Sequence, residues 1–444
     1  MSDTPLARGV CRPRRAVLAL ALVLAAAIKA PSAVAMAPAT SQVGQPLPPW
    51  RPGLLDIHHI STGRGNATFV IMPDGTTMLI DAGELDPAAF ARFAPLKLGP
   101  ERPYAGAGAG RTIANYIARH APPGRPPALD YAVVTHYHDD HIGAMRPEAP
   151  LSKTSGYRLT GLAAVAARID IRRLLDRGEE DGVAGLASGS DAAYANYRAF
   201  TRDAAVRSQL KVETLRAGSS DQIAPVHDLG AASGFSVRVL KTGRWLWNGV
   251  DDGRRELFSK AQASQAGKAA ENALSVALLI RYGAFSYFSG GDNPGLGSPE
   301  RAPWQDVETP LAAVVGPVEA MTLDHHGNRD ANNATLLASL APRVVIQQCW
   351  TSDQPGQEVV QRLVASGSKF GEPQAFATQI SPEAAAAIGP PMRRLFNPVT
   401  GHVVLRVAPG GRTYDLFVLD DKRKTATIRF AKSASTMPRP VDKP

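Results

Sequence analysis

Residues 135–143 read Thr-His-Tyr-His-Asp-Asp-His-Ile-Gly, and they follow the apolar run 131–134. A β-branched apolar run predicts a buried strand, so the polar cluster is expected on the loop leaving that strand, where α/β proteins place their chemistry. Three imidazoles and two carboxylates supply the nitrogen and oxygen donors that a divalent cation needs. A solvated polar loop is the alternative, but it leaves the His-x-His-x-Asp-His spacing unexplained. The predicted ligands in this loop are His136, His138, Asp140 and His141.

This motif resembles the signature of the metallo-β-lactamase superfamily, a large group of mostly hydrolytic metalloenzymes, and the resemblance implies further ligands from distant loops. Residues 285–292 repeat the order of strand, small-residue turn and Asp, and Asp292 matches the superfamily's metal-bridging carboxylate. Residues 321–328 place two imidazoles at another strand end, and His325 or His326 matches the last histidine ligand.

Two cation sites that share Asp292 follow from this resemblance. The first would contain His136, His138 and Asp292, and the second Asp140, His141, Asp292 and either His325 or His326. Occupancy by one or two ions is left open, with Zn²⁺ expected and Mn²⁺ as the alternative. His227, which precedes an expected strand at 235–240, is a weaker alternative ligand, because Lys241 follows that strand where two-metal members usually offer a histidine.

A narrower resemblance is carried by residues 63–67, 79–83, 129–136, 272–275 and 325–327. Together they look like the soluble β-lactamase-like domain of ComEC-type competence proteins, which is thought to degrade the DNA strand that is not imported. The chain departs from that family in having no multi-span membrane channel. Asn66 stands where the family usually has Asp, and Asn328 where it has Ser. A transport role therefore does not carry over, and the nuclease role is weakened.

The expected chemistry is hydrolysis by a metal-activated hydroxide, since a bound cation lowers the pKa of water toward about 7. Asp140 is expected both to bind metal and to orient the hydroxide. The imidazole of His325 or His326 that does not bind metal is a candidate proton donor or oxyanion stabiliser, with a structural role equally open. Asn272 is a candidate hydrogen-bond donor to a substrate oxygen, or a turn residue. Asp81 closes a buried strand and is expected to hydrogen-bond the metal loop.

The substrate class is argued from charge. Phosphodiester bonds, in a small molecule or a nucleic acid, are the leading prediction, because Arg64 and Arg244 lie in loops that could face the site. Carboxylic esters, lactones or β-lactams are the alternative, which an apolar pocket near Trp245 and Trp247 would favour. A non-catalytic envelope binding protein is the second alternative. It is less favoured because unpaired strand-end charges are costly without a metal. The oligomeric state is left open.

Residues 1–35 have the pattern of a secretory signal peptide: four arginines, an apolar run at 16–28, and small residues at 33–35. A membrane anchor is the alternative, but the run is shorter than the roughly 20 residues that a spanning helix needs. Export predicts a periplasmic or secreted protein. Cleavage would remove five basic residues and one acidic residue, lowering the net charge from +9 to about +5. That charge suits an anionic substrate but does not demonstrate nucleic-acid binding.

The remaining pattern predicts an α/β chain of 444 residues with a linker at 36–53, one domain at 54–420 and a basic disordered tail at 421–444. A helical insertion at about 151–235, with a loop at 179–191, is expected to form a lid over the site. Two β-rich halves flanked by helices imply a four-layer αββα sandwich. Expected strands are 54–60, 67–72, 77–80, 131–134, 235–240, 273–282, 285–288, 312–322, 343–348 and 403–407. Expected helices are 112–120, 162–175, 193–206, 334–340 and 358–365.

Several histidines and one cysteine receive structural interpretations. Packing is expected for His58, His59 and His120, and a strand cap or a contact behind the ligands for His402. Cys349 follows an apolar run, which indicates a buried thiol rather than a nucleophile.

Overall fold

The computed structural model describes residues 42–154, 156–178, 191–207, 210–295, 302–366, 371–423 and 425–437. The predicted signal peptide at 1–35 and most of the predicted loop at 179–191 lie outside these residues.

Within the described residues the strands are, in chain order, β1 (Leu55–His59), β2 (Thr68–Ile71), β3 (Thr77–Ile80), β4 (Ala128–Val133), β5 (Asp170–Asp176), β6 (Lys211–Thr214), β7 (Phe235–Thr242), β8 (Trp245–Trp247), β9 (Arg254–Glu256), β10 (Ala277–Tyr282), β11 (Phe285–Ser289), β12 (Ala320–Thr322), β13 (Val344–Gln347), β14 (Gln374–Ala377), β15 (His402–Val407), β16 (Thr413–Leu419) and β17 (Ile428–Ser435). The helices are α1 (Pro87–Phe90), α2 (Ala109–His120), α3 (Asp139–Ile142), α4 (Gly161–Ala166), α5 (Asp191–Arg207), α6 (Lys260–Ala266), α7 (Glu308–Val315), α8 (Ala334–Leu340), α9 (Gln357–Ala365), α10 (Pro382–Ile388) and α11 (Pro390–Leu395).

The strands form two mixed sheets. The first has the order β17-β16-β15-β1-β2-β3-β4-β5-β6, and the second has the order β14-β13-β12-β11-β10-β7-β8-β9. Each sheet changes from antiparallel to parallel pairing along its width: β3 to β6 are parallel in the first, and β11 to β14 in the second. Because parallel strands end at the same edge, the loops after β3, β4, β11 and β12 are available to build one site.

Three apolar cores define the layers. Ile57 and Tyr131 of the first sheet pack with Val239 and Tyr287 of the second, so the sheets lie face to face. A second core joins the other face of the first sheet to α2, α4 and α5. A third joins the second sheet to α7, α8, α9, α10 and α11. This arrangement is the predicted four-layer αββα sandwich, and the α/β fold class is confirmed. No helix among the described residues is long and apolar enough to span a membrane.

Two segments expected to be continuous elements change conformation partway. The expected helix at 162–175 ends at Ala166, and Asp170–Asp176 is strand β5, paired in parallel with β4. The expected strand at 312–322 begins as α7, and only Ala320–Thr322 is strand. Each segment is apolar enough to be buried as helix or strand, so local periodicity could not locate the change.

Segment 151–235 is not a purely helical insertion, because β5 and β6 extend the first sheet. Its described residues do not line the cavity at the metal centre. The predicted linker and tail also differ from expectation. Leu47 and Trp50 are buried, and Ile428–Ser435 is strand β17, hydrogen-bonded along β16. The apolar stretches in these two segments are short and flanked by polar residues, so the sequence did not indicate that Leu47 and Trp50 would be buried or that residues 428–435 would form a strand.

Candidate metal centre

Three strand ends bring the predicted ligands together. The loop after β4 carries His136, His138, Asp140 and His141, and Asp292 follows β11. His325 and His326 follow β12 in a short 3₁₀ turn. Residues about two hundred positions apart in sequence thus meet at the edge where both sheets have their parallel strands. The apolar residues of these strands are buried between the layers.

Two groups of side chains are arranged so that each could hold a metal ion. One contains His136, His138 and Asp292, and the other contains Asp140, His141, Asp292 and His326. Within each group the ligand atoms lie within 4.8 Å of one another. Asp292 belongs to both groups, which is the bridging position expected from the sequence.

Contacts within these groups fit a bound cation. Nε2 of His136 lies 2.9 Å from Nδ1 of His138, and Nε2 of His141 lies 3.3 Å from Nε2 of His326. Two facing imidazole nitrogens repel through their lone pairs unless a proton or a metal ion lies between them. Oδ1 of buried Asp292 has no hydrogen-bond partner in the described residues, although Nε2 of His141 is 3.2 Å away. A buried carboxylate oxygen without a hydrogen-bond partner, surrounded by imidazole nitrogens, is an environment that a divalent cation satisfies.

The pKa values of the imidazoles and of the carboxylates in the centre are shifted by different causes. Burial lowers the pKa of His136 and His138, so these imidazoles are held neutral, the form that binds metal. Burial alone would raise the pKa of Asp140 and Asp292, but neighbouring imidazoles outweigh it. The pKa of Asp140 falls to about 2, and that of Asp292 lies well below its usual value. Both carboxylates are therefore ionised across the physiological range.

Asp81 holds the loop after β4 from behind. Its Oδ2 lies 2.8 Å from Nδ1 of His141 and accepts a hydrogen bond from the Thr135 hydroxyl, while its Oδ1 accepts from the Thr135 backbone N–H. Asn66 donates to the same carboxylate at 3.2 Å. The carboxylate fixes the ring of His141 with Nε2 facing Asp292, which is the arrangement that second partners of metal-binding histidines provide.

Backbone strain marks the turn that presents the two adjacent histidines. His325 and His326 have φ of 47° and 56°, and Asp81 has φ of 60°. Left-handed conformations at non-glycine residues cost free energy and persist where surrounding contacts enforce them. Gln347 donates to the His326 carbonyl at 2.9 Å, and the Trp350 ring lies 4.0 Å from the His326 ring. These contacts orient the His326 side chain toward Asp140, His141 and Asp292, with which it forms one of the two donor groups.

His325 lies beside the metal groups and belongs to neither. Its Nδ1 is 2.7 Å from Oδ1 of Asp330, its Nε2 is 3.3 Å from Nδ2 of Asn272, and Nε2 is 3.9 Å from Asp292. Burial lowers the pKa of His325, but Asp330 and Asp292 outweigh this and raise it to about 9. The structure therefore separates the two imidazoles that the sequence left equivalent, with His326 among the donors and His325 beside Asn272.

A buried ion pair supports the loop from the other side. Glu271 and Arg177 are 0% and 1% exposed, and Arg177 Nη2 lies 2.9 Å from Oε2 of Glu271. Oε1 of Glu271 accepts the backbone N–H of Tyr137 at 2.9 Å, and the Arg177 guanidinium stacks 4.3 Å from the Tyr137 ring centroid. Tyr137 lies between His136 and His138, so this pair fixes the segment that carries both ligands.

A cavity of about 340 Å³ opens beside the donor groups. Its apolar wall comes mainly from the segment around α1 and from the loop after β13. The apolar lining residues are Leu85, Phe90, Phe93, Leu96 and Trp350. The charged lining residues outside the donor groups and His325 are Arg92, Asp139 and Asp353. Burial, and then the charge of Asp140, raise the pKa of Asp139 to about 7.

The residues on which the substrate prediction depended do not line this cavity. Arg64 donates to the backbone carbonyls of Gly63 and Gly99, at 2.6 and 2.8 Å. Arg244 pairs with Glu256.

The two tryptophans of β8 also lie outside the lining of this cavity. Arg254 stacks on the Trp245 ring, and Trp247 Nε1 donates to the Asp251 carbonyl. Both tryptophans are thus held by neighbouring segments and do not line the cavity at the metal centre.

Other predicted histidines lie outside the centre. Nε2 of His227 is 3.1 Å from Asp130, near the start of β4, so His227 lies at the opposite strand end and is not a ligand. His59 packs beside the Tyr287 hydroxyl, and His58 beside the Tyr116 hydroxyl, as the packing interpretation predicts. Lys241 is fully buried and donates to the carbonyls of Ala273 and Ser275.

Sequence reasoning missed the residues that orient the predicted ones. They are Arg177, Glu271, Asp330, Gln347 and Trp350. A partial signal existed for Glu271 and Gln347, which are polar residues at the borders of apolar segments. Arg177 and Asp330 carried none, because an ion pair across separate loops leaves no local pattern. Cys349 is buried, and burial raises its thiol pKa to about 12, as expected for an inert thiol.

Comparison with known proteins agrees with this architecture. Residues 60–239 match the family model described as the metallo-beta-lactamase superfamily. This part of the chain is therefore similar to the domain of the metallo-β-lactamase superfamily, whose members are generally metal-dependent hydrolases. Asp292 and His326 lie beyond the matched range. No curated protein matches the sequence significantly.

Solved structures show only a distant likeness. A mutant of the CmlA beta-hydroxylase is 15% identical with a TM-score of 0.35, and the match covers 73% of this chain and 52% of that one. Zn²⁺-bound PqqB from Methylobacterium extorquens is 13% identical with a TM-score of 0.29, covering 64% and 76%. Tm1679, described as a metal-dependent hydrolase of the beta-lactamase superfamily, is 9% identical with a TM-score of 0.33, covering 80% and 99%. At these TM-scores the likeness adds nothing to the family assignment.

Proposed function

We propose that this protein is a metal-dependent hydrolase that cleaves a carboxylic ester, lactone or β-lactam bearing an apolar group. The observation that carries the proposal is the position of two donor groups, joined at Asp292, beside a cavity with an apolar wall. The donors are imidazole nitrogens and carboxylate oxygens, a set that suits Zn²⁺ and also accommodates Mn²⁺. A divalent cation held there would supply Lewis acidity, acidifying water and polarising the scissile carbonyl.

Charge separates the two hydrolytic alternatives. A site for nucleic acid needs several Lys or Arg side chains to neutralise phosphates. The described lining of this cavity offers Arg92 alone, against Asp139 and Asp353. Arg92 is also engaged with Phe93, whose ring centroid lies 4.7 Å from its guanidinium carbon. An extended polyanion is therefore disfavoured, whereas the apolar wall can bury an acyl or aryl group.

Phosphodiester hydrolysis, which the ComEC-type resemblance favours, remains the second candidate. A small phosphodiester with an aromatic group would also fit the wall formed by Phe90, Phe93 and Trp350. A non-catalytic binding protein is less favoured, because it would leave buried Asp292 and the adjacent Asp140 without the ion that these donor groups can hold.

The chain's own residues would perform four tasks. Asp81 keeps the His141 ring oriented, and Glu271 keeps the Tyr137 backbone in place. Asp140 lies 3.4 Å from His326 and lines the cavity, so it can accept a hydrogen bond from attacking water. His325 also lines the cavity and can contact the departing oxygen from Nε2.

Metal analysis combined with a substrate panel tests the proposal. The purified chain is loaded with Zn²⁺ or Mn²⁺ and assayed with nitrophenyl esters, lactones, nitrocefin, bis-nitrophenyl phosphate and single-stranded DNA. We expect stoichiometric metal and the highest kcat/KM with an acyl substrate. His138→Ala and Asp140→Ala should abolish turnover while the chain stays folded by circular dichroism. Turnover of phosphodiesters alone would overturn the substrate class, and full activity in both variants would overturn the mechanism.

We also propose export to the periplasm or medium, on the basis of the signal-peptide pattern at 1–35. Mass spectrometry of the protein recovered from expressing bacteria tests this. A cytoplasmic protein that retains its first 35 residues would contradict it.

A further inference from the structure

A second cavity, of about 330 Å³, lies on the outer side of the first sheet. It is formed by one face of α2, the loop at 103–107 and the segment after β16. It shares no described lining residue with the cavity at the metal centre. Part of its wall consists of the buried rings of Tyr116 and His402, whose centroids are 4.5 Å apart.

His402 presents an unused hydrogen-bond donor. Its Nδ1 accepts the backbone N–H of Ser61 at 3.0 Å, so the proton of the neutral ring is on Nε2. Burial lowers the pKa of His402 to about 3, which keeps the ring neutral. The side chain is only 6% exposed and lines the cavity, yet Nε2 has no partner in the described residues. This N–H is open to the cavity rather than sealed in the core, so it can donate to an acceptor that occupies the cavity.

Three arginines border the same cavity: Arg111, Arg119 and Arg423. Arg119 makes no hydrogen bond or ion pair within the part of the chain that the structure describes. Arg423 is 79% exposed, and its nearest carboxylate oxygen, on Asp420, is 3.8 Å away. Arg111 is partly engaged, since its guanidinium donates to two backbone carbonyls in the loop before α2.

The only carboxylate among the described lining residues is already occupied. Oδ2 of Asp421 accepts the Ser61 hydroxyl at 2.7 Å and the Arg102 Nε at 3.0 Å. The cavity therefore combines three guanidinium groups and a neutral N–H donor with one carboxylate whose charge is paired. Such an excess of donors and positive charge selects an acceptor that is an anion.

We propose that this cavity binds a small oxyanion, a phosphate or a carboxylate, with Arg119 and the Nε2–H of His402 as its principal donors. Arg111 and Arg423 raise the local potential at the rim. Arg119 provides a planar fork that matches two oxygens of either group. The neutral imidazole adds a hydrogen-bond donor with a fixed orientation, which a cluster of solvated arginines lacks. This site is independent of the proposed hydrolysis.

Isothermal titration of the full chain loaded with metal tests the proposal, with inorganic phosphate and citrate as probes at an ionic strength held constant with sodium chloride. We expect saturable binding of at least one probe. Arg119→Ala should weaken that binding at least about tenfold, because it removes a charged donor. Arg202→Ala is the matched control, since Arg202 is an exposed arginine on α5, and it should bind like the parent.

The metal centre is a competing site for the same probes, so His138→Ala is titrated in parallel. Binding that survives in His138→Ala and is lost in Arg119→Ala supports the second cavity. Binding lost in His138→Ala and retained in Arg119→Ala would place the anion at the metal centre and overturn the proposal. Absence of saturable binding for both probes would also overturn it. The probe that binds with the lower Kd identifies whether the cavity prefers a phosphate or a carboxylate.

Discussion

Replacing Glu271 by Leu should destabilise the protein strongly, because Arg177 would lose its partner in a place that water does not reach. The two side chains are 0% and 1% exposed, and two contacts of 2.9 and 3.2 Å join them. Breaking a buried pair by removing one partner costs about 3–5 kcal/mol. The change also removes the acceptor of the Tyr137 N–H, which alone costs about 1–3 kcal/mol.

A double-mutant cycle separates these effects. In Glu271→Leu with Arg177→Met, no buried charge remains, so the loss should shrink to about 1–3 kcal/mol, mostly from the unsatisfied Tyr137 N–H. The double variant should therefore be more stable than Glu271→Leu alone. Urea unfolding followed by circular dichroism and fluorescence measures each corner of the cycle. The exposed pair Arg394–Glu372 is the control, and Glu372→Ala should cost less than about 1 kcal/mol.

Additive losses in the cycle would refute this reasoning, because they would show that the two charges do not compensate each other. A cost for Glu271→Leu equal to that of Glu372→Ala would refute it as well. Metal content is the second readout. Since Tyr137 lies between two ligands, we expect the Glu271→Leu variant to retain less metal than the parent after dialysis against a chelator.

Three further predictions concern the histidines. His326→Ala should lose bound metal, whereas His325→Ala should keep it and lower kcat by roughly 10²–10⁴-fold if its imidazole serves the departing group; metal analysis and steady-state kinetics separate the two. Asp81→Asn should weaken metal binding roughly 10–100-fold, because His141 loses the carboxylate that orients it, as competition with a chelator would measure. Burial lowers the pKa of His402 from 6.5 to about 3 in the folded protein. Between these two pH values the imidazole is protonated in the unfolded chain but not in the folded one. The free energy of unfolding should therefore fall as the pH is lowered from 6.5 toward 3.

The outcomes that contradict these predictions are distinct. Equal metal loss in His325→Ala and His326→Ala would remove the separation of the two imidazoles. An Asp81→Asn variant with unchanged metal affinity would show that the carboxylate does not support its histidine. For His402, urea midpoints are compared between pH 6.5 and 4 in the parent and in His402→Asn. An identical slope in both proteins would exclude this residue as a source of the acid sensitivity.

The amino-acid sequence by itself determined the loop after β4 and the fold class. His136 to His141 lie within six residues, so their spacing can be read locally, and β-branched runs such as Val133-Val134 indicate burial without knowledge of the partner strand. Asp292 was recognisable for the same reason, since it follows a short buried strand and a glycine turn. The resemblance to the superfamily then supplied the expectation that these separate loops meet.

Tertiary structure decided the rest, because those features depend on pairings between distant segments. Residues 170–176 are a strand only because β4 offers them a parallel edge, and residues 428–435 because β16 does. The choice of His326 over His325 depends on Gln347 and Asp330, each brought in by its own loop. The apolar wall of the cavity at the metal centre comes from α1 and from the loop after β13. No local sequence pattern indicates that these two segments face one another. Local spacing records which atoms can bind a cation, whereas the shape and charge around that cation arise only from the folded chain.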